Sequence, residues 1–206
     1  MTVNTAKTSN VNIRKIAMTG VLAAIATVLM FLHFQLPFMP SFISLDFSEL
    51  PALIGAFAYG PVAGVMIEFC KILIKLVLKP SSTAFVGELA NFSISCMLVL
   101  PASVIYLFKK SRKQAILGTV VGTLIMTAFG SCFNAIYLLP KFSELYGIPL
   151  DAIIGMGTAI NPAIHSISGL VLMCVVPLNL LKGGLVSLIT ILVYKKLSPI
   201  LKAAHK

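Results

Sequence analysis

Long apolar runs broken by short polar or proline-containing stretches dominate the chain from Ile13 to Tyr194. A helix needs roughly 20 apolar residues to cross the hydrocarbon core. On that measure the pattern predicts spans over residues 13–32, 84–107 and 115–139, and a last one over 177–194. Two further segments share a hairpin: a short span over 50–59, with Pro51 suited to a helix first turn, then a tight Gly60-Pro61 turn and a span to Leu78. Between the first two spans, Pro37, Pro40 and the run Ser41-Phe42-Ile43-Ser44-Leu45-Asp46-Phe47-Ser48-Glu49 read as extended or looped backbone.

The segment 140–176 is the ambiguous one. Residues 159–176 are apolar enough for a span of their own, but they carry Asn161, Pro162 and His165. A seventh span would also place Lys195, Lys196, Lys202 and Lys206 outside, against the positive-inside rule. The segment is therefore expected to be a long outer loop with a helix packed on the protein or at the interface. The fold class that follows is an all-α membrane protein with six transmembrane helices, both termini cytoplasmic, and long outer loops after helices 1 and 5. Residues 1–206 form one integral-membrane substrate-binding domain in this reading.

Composition strengthens the membrane assignment. Of 206 residues, 58% are hydrophobic and 11% charged, more apolar surface than a soluble domain of this size can cover. The net charge of +10 could point to nucleic acid, but 11 of the 16 basic residues fall in three clusters. These are Lys7, Arg14, Lys15; Lys109, Lys110, Arg112, Lys113; and Lys195, Lys196, Lys202, Lys206. Clusters flanking spans orient a membrane protein, so no nucleic-acid partner is expected. The first apolar run lacks a small-residue cleavage site and is read as a retained span. The four cysteines never form C-x-x-C and read as packing residues, and the three histidines show no ligand spacing. There is no Walker motif, no H-E-x-x-H and no G-x-S-x-G, so the chain is not expected to be an enzyme, to hold a metal or to bind ATP by that motif.

The chemistry lies in polar residues placed inside apolar runs. Lys182 falls about one and a half turns into the last predicted span, where a lysine costs about 2.5–3.5 kcal/mol on insertion scales. Asn179, three residues earlier, shares its helix face. Asp46, Glu49, Glu88, Asn91 and Asn134 fall at the same depth near the outer side, and residues from four parts of the chain thus converge on one level. Each has a plainer role open to it. Lys182 could snorkel or pair with an acid such as Glu88; the asparagines could bridge helices; Asp46, Ser48 and Glu49 could cap the second span. Phe42 and Phe47 could anchor the loop or wall a planar ligand. In the third span Glu68, Lys71 and Lys75 make one polar stripe.

Taken together, these residues resemble the riboflavin-specific substrate-binding subunit, or S component, of energy-coupling factor (ECF) transporters. The resemblance covers nearly the whole chain. It rests on Gly20-x-x-x-Ala24 in the first helix, the loop from Leu45 to Pro51, Gly87-Glu88-Leu89-Ala90-Asn91-Phe92, Asn134, and Pro177-Leu178-Asn179-Leu180-Leu181-Lys182-Gly183. It implies a six-helix protein holding one vitamin near the outer face under a lid formed by the first loop. Asn134, Asn179 and Lys182 would hydrogen-bond the isoalloxazine ring, with Asp46, Phe47, Glu49 and Glu88 as lid or ribityl-side contacts. Gly20 and Ala24 would dock onto a transmembrane coupling subunit that works with two ATPases. Riboflavin would be a transported ligand in the cell membrane, not a cofactor. The flavin's pyrimidine edge alternates carbonyl acceptors with an N–H donor, a pattern that two amides and an ammonium can satisfy.

Overall fold

The computed structural model describes residues 13–37, 39–40 and 43–202, without the side chains of Lys195 and of 197–202. Lys7, Phe42 and Lys206 of the sequence reading lie outside the described residues, as do the side chains of Lys195 and Lys202.

The described residues are mostly helical. Helix α1 covers Ile13–Phe31, α2 Glu49–Tyr59, α3 Pro61–Leu78, α4 Val86–Lys109 and α5 Arg112–Phe133. Then come α6 (Leu139–Tyr146), α7 (Leu150–Thr158), α8 (Ile167–Leu170) and α9 (Val176–Lys202). Among the described residues four helices are long and apolar enough to cross a membrane: Ile13–Phe31, Val86–Lys109, Arg112–Tyr146 and Ile167–Tyr194. Helix α3 has 18 residues but carries Glu68, Lys71 and Lys75, and α2 has only 11. Their apolar residues sit in the main core, where Ala52, Leu53, Ala56, Phe57 and Ile67 meet Leu98, Val99 and Val186.

Helices α4 and α5 run side by side at a distance only small residues allow. A Cβ at Gly118 would lie 2.5 Å from the Ala102 carbonyl oxygen, and one at Gly122 would lie 2.5 Å from that of Leu98. Backbone touches backbone along this seam, the close approach that small residues permit between membrane helices.

The loop between α1 and α2 is extended, as its prolines require. Two short strands, β1 (Phe34–Gln35) and β2 (Ser44–Leu45), pair antiparallel with Phe34 opposite Leu45. Met39, Ile43 and Leu45 of this loop join Leu139, Ile153, Ile164, Leu170, Val175 and Leu178 in a second apolar cluster. That cluster roofs one end of the helical body and holds the loop down.

The expected outer loop over 140–176 and the expected start of the last span at Pro177 both need correction. Helix α5 continues into α6 through a π-helical turn, Asn134–Leu138, and the last helix begins at Ile167 and passes through a second π turn, Val171–Val175. The connection is thus confined to 147–166 and contains α7. The cause is the same at both sites. The Leu139 N–H bonds to the Asn134 carbonyl and the Val176 N–H to that of Val171, five residues back. Pro140 or Pro177 follows at once. Proline has no N–H to give the regular ladder, and the wider turn absorbs the gap without ending the helix. The sequence pattern opens the outer loop at Pro140 and starts the last span at Pro177; here each proline lies within a continuing helix. The two π turns pack against each other.

Candidate functional site

Lys182 lies fifteen residues into the last helix, counting from Ile167, and not one and a half turns from its start. At 9% exposure it is buried, which removes snorkelling as its role. Its ammonium is 3.0 Å from Asp46 Oδ2 and 2.7 Å from Glu49 Oε1. The pairing acid is therefore not Glu88. Two carboxylates from the α1–α2 loop and the first turn of α2 meet one cation from α9, and Ser95 of α4 donates to Glu49 Oε1 at 2.8 Å.

A second ion pair lies beneath. Lys71 Nζ is 2.5 Å from Glu68 Oε2, both side chains fully buried, and it donates to Ser48 Oγ at 3.0 Å. Ser48 does not cap α2 with its side chain; its hydroxyl is engaged by Lys71, and its N–H donates to Asp46 Oδ1 at 2.8 Å. The stripe on α3 thus ends in a polar cluster of Asp46, Ser48, Glu49, Glu68, Lys71, Ser95 and Lys182, drawn from four helices and the α1–α2 loop. Charges inside a membrane protein persist where they are paired or face a cavity, and these are paired.

Burial alone would raise the Asp46 carboxyl above its ordinary value of 3.8, but Lys182, Lys71 and the hydrogen bonds from Ser48 outweigh it and hold it down at about 2. A depressed carboxylate stabilises the fold above its unfolded value and loses that contribution as pH falls through its folded one. The thermal-stability gap between wild type and Asp46→Asn should thus be flat from about pH 5 to about pH 8 and narrow below about pH 4. A melting series across pH checks this; a gap that closes near neutrality would contradict the pairing.

Above the cluster is a cavity of about 290 Å³. Asp46 and Ser44 of the α1–α2 loop, Asn91 and Ile94 of α4, Asn134 and Leu138 of the first π turn, Phe142, and Val175, Leu178, Asn179 and Lys182 of the last helix line it. Six of its fourteen lining residues are polar or charged and converge from the loop, α4, the first π turn and the last helix; the rest are apolar or glycine, a mixed make-up that suits a small polar-edged molecule. Asn91 Oδ1 and Asn179 Nδ2 are buried and lack a hydrogen-bond partner. Buried polar atoms are rarely left so, and both belong to residues on the cavity wall. Asn134 gives its Nδ2 to the Gly130 carbonyl at 2.7 Å.

The structure thus brings Asp46, Asn134, Asn179 and Lys182 to one cavity, with Asn91, and seats Glu49 directly behind Lys182. Two residues of the sequence reading go elsewhere. Glu88 is held by Lys75, by Ser81 at 2.8 Å and by Thr83 at 3.0 Å, closing the α3–α4 turn outside this cavity. Phe47 is half-buried between the two apolar clusters, edge-on to Phe34 at 6.4 Å; it anchors the loop and does not wall the cavity. Gly20 and Ala24 are exposed on the outer face of α1, and a Cβ at Gly20 would meet nothing within 4 Å. Ser95 and Gly130 escaped the sequence reading. The signal available was spacing: Ser95 is four residues after Asn91, and Gly130 four before Asn134, so each shares a helix face with a cavity residue.

A family model for the substrate-specific component of ECF transporters matches residues 14–194. The chain belongs to this family. Its members are transporter components and not enzymes. Among relatives of this S component, the riboflavin transporter RibU of Staphylococcus aureus (strain TCH60) is 33% identical over 189 residues, 92% of this chain and 93% of that protein. The riboflavin transporter FmnP of Bacillus subtilis (strain 168) is 30% identical over 190 residues, 91% of this chain and 93% of that one. A solved S component of a bacterial ECF transporter superposes with a TM-score of 0.70 at 34% identity, covering 91% of this chain and 97% of the other. The resemblance to the riboflavin-specific S component is borne out.

Proposed function

We propose that this S component captures riboflavin in the cavity under the lid loop and presents it for uptake. The observation that carries the proposal is the mixed lining of that cavity, which gathers Asn134, Asn179 and Lys182 beside the apolar Ile94, Leu138, Phe142, Val175 and Leu178. An ammonium has three N–H donors; Asp46 and Glu49 take two, leaving one for a ligand carbonyl. Asn134 and Asn179 supply the amides that the flavin's pyrimidine edge calls for. Asp46 serves on the lid side, Glu49 holds Lys182, and Asn91 reaches the ribityl side. Glu88 and Phe47 act at one remove, fixing the α3–α4 turn and the loop. The names of the relatives RibU and FmnP support riboflavin as the ligand.

In this reading α1, α2, α3, α4, the α5–α6 helix and the α8–α9 helix make six spans in the bacterial cytoplasmic membrane. Both termini are cytoplasmic, on the side of the basic clusters. The exposed small-residue face at Gly20 and Ala24 docks a transmembrane coupling subunit, which two ATPase subunits drive. Reconstitution in liposomes tests the division of labour. Riboflavin uptake should require the coupling subunit, the ATPases and ATP, and thiamin or a pterin in tenfold excess should not compete. Uptake by this chain alone would make it a channel, and displacement by either competitor would assign another vitamin.

A further inference from the structure

We infer that Gly130 is a positioning residue that sets the hydrogen-bond polarity of the cavity, and with it which ligand edge is accepted. The inference rests on the riboflavin reading of that cavity and deepens it. Gly130 touches both site amides. Its carbonyl receives Asn134 Nδ2 at 2.7 Å. An amide's oxygen and nitrogen diverge from one carbon, so turning the nitrogen to the helix directs Oδ1 away from it, and Asn134 presents an acceptor to the cavity. On the other flank of Gly130, a Cβ would lie 2.8 Å from Asn179 Nδ2, closer than unbonded atoms tolerate. With no Cβ there, the Asn179 amide seats against the backbone of α5, buried at 7% exposure, with Nδ2 unpartnered as a donor.

The two amides are therefore not interchangeable. Asn134 offers an acceptor, Asn179 keeps its Nδ2 buried against α5, and Lys182, on the Asn179 face of its helix, supplies the donor. The matching ligand edge has an N–H opposite Asn134 and carbonyl oxygens beside it. An imide-type edge, acceptor–donor–acceptor, fits; an amino-pyrimidine edge, with its donors and acceptors exchanged, leaves the Lys182 ammonium facing another donor, a penalty that rejects ligands strongly. The only atoms a Cβ at 130 displaces sharply belong to the far end of the Asn179 side chain, with Ile94 Cγ2 next at 3.5 Å. Gly130→Ala thus acts on the ligand more than on the fold.

Flavin-fluorescence titration of the purified full chain in detergent tests this, with thermal melting of the ligand-free protein beside it. Gly130→Ala should weaken riboflavin binding at least tenfold, with a ligand-free melt close to wild type. In an Asn179→Ala background the same change should cost less than twofold, because the atom it displaces is gone. Equal losses in both backgrounds, or wild-type affinity in Gly130→Ala, would overturn the inference. A ligand arm needs no variant: riboflavin methylated at the pyrimidine N3 should bind the wild type at least tenfold more weakly, and equal affinity would overturn the assignment of Asn134 as acceptor. A wild type that binds no riboflavin would instead remove the riboflavin reading, and this inference with it.

Discussion

Lys182→Ala should give the largest loss of any single substitution in this protein, in stability and in riboflavin binding together. The ammonium counters two buried carboxylates, Asp46 and Glu49, whose side chains are 9% and 2% exposed. Removing one partner of a buried pair leaves a charge uncompensated and costs about 3–5 kcal/mol. The binding loss has a separate origin. One ligand-directed N–H disappears, and the lid carboxylate Asp46 loses the contact that ties it to α9. Affinity should fall at least tenfold, on the order of 1.4 kcal/mol. Asn179→Ala should lose a similar factor in affinity with little change in the ligand-free melt, because Asn179 Nδ2 bonds nothing in the protein. Melting and flavin titration on both variants separate the two roles of Lys182. Wild-type affinity in both would return these residues to structure alone.

Lys71→Met should be nearly as damaging to stability, although Lys71 does not line the cavity. Its side chain is fully buried, 2.5 Å from Glu68. Methionine fills the space but leaves Glu68 without its counter-charge, a cost of about 3–5 kcal/mol. Ser48 also loses its donor, and with it the lid's fixed junction with α2, so riboflavin should dissociate faster. The double variant Glu68→Gln/Lys71→Met is expected to recover much of the melting temperature, since replacing a buried pair by neutral groups is often close to neutral in stability. A double variant no more stable than Lys71→Met would show that the pair is not what holds this region.

Much of this arrangement was legible in the sequence because membrane chains restrict where polar residues can stand. Apolar run length predicted helices at α1, α4, α5 and the last span, and the prolines predicted an extended first loop. The cost of an intramembrane lysine singled out Lys182, and its spacing added Asn179. Partners were not legible. Asp46, Glu49 and Glu88 are equivalent by charge and depth, and only folding shows that two of them face Lys182 while Glu88 turns to Lys75. Periodicity also could not show that Pro140 and Pro177 lie inside continuing helices, because a π turn leaves no fixed composition. That one difference moved the start of the last helix to Ile167 and carried Lys182 from the mouth of a span to its buried middle. Spacing puts Gly130 on the helix face of Asn134 but says nothing of its role, because an absent side chain has meaning only beside the neighbour that occupies its space.

The most direct measurement is an equilibrium titration of riboflavin onto the detergent-purified chain, followed by quenching of flavin fluorescence. Saturation at one riboflavin per chain, with a melting temperature that rises with ligand concentration and affinity reduced by Asn134→Ala, Asn179→Ala and Lys182→Ala, is the predicted result. No quenching and no thermal shift at micromolar riboflavin would contradict the account.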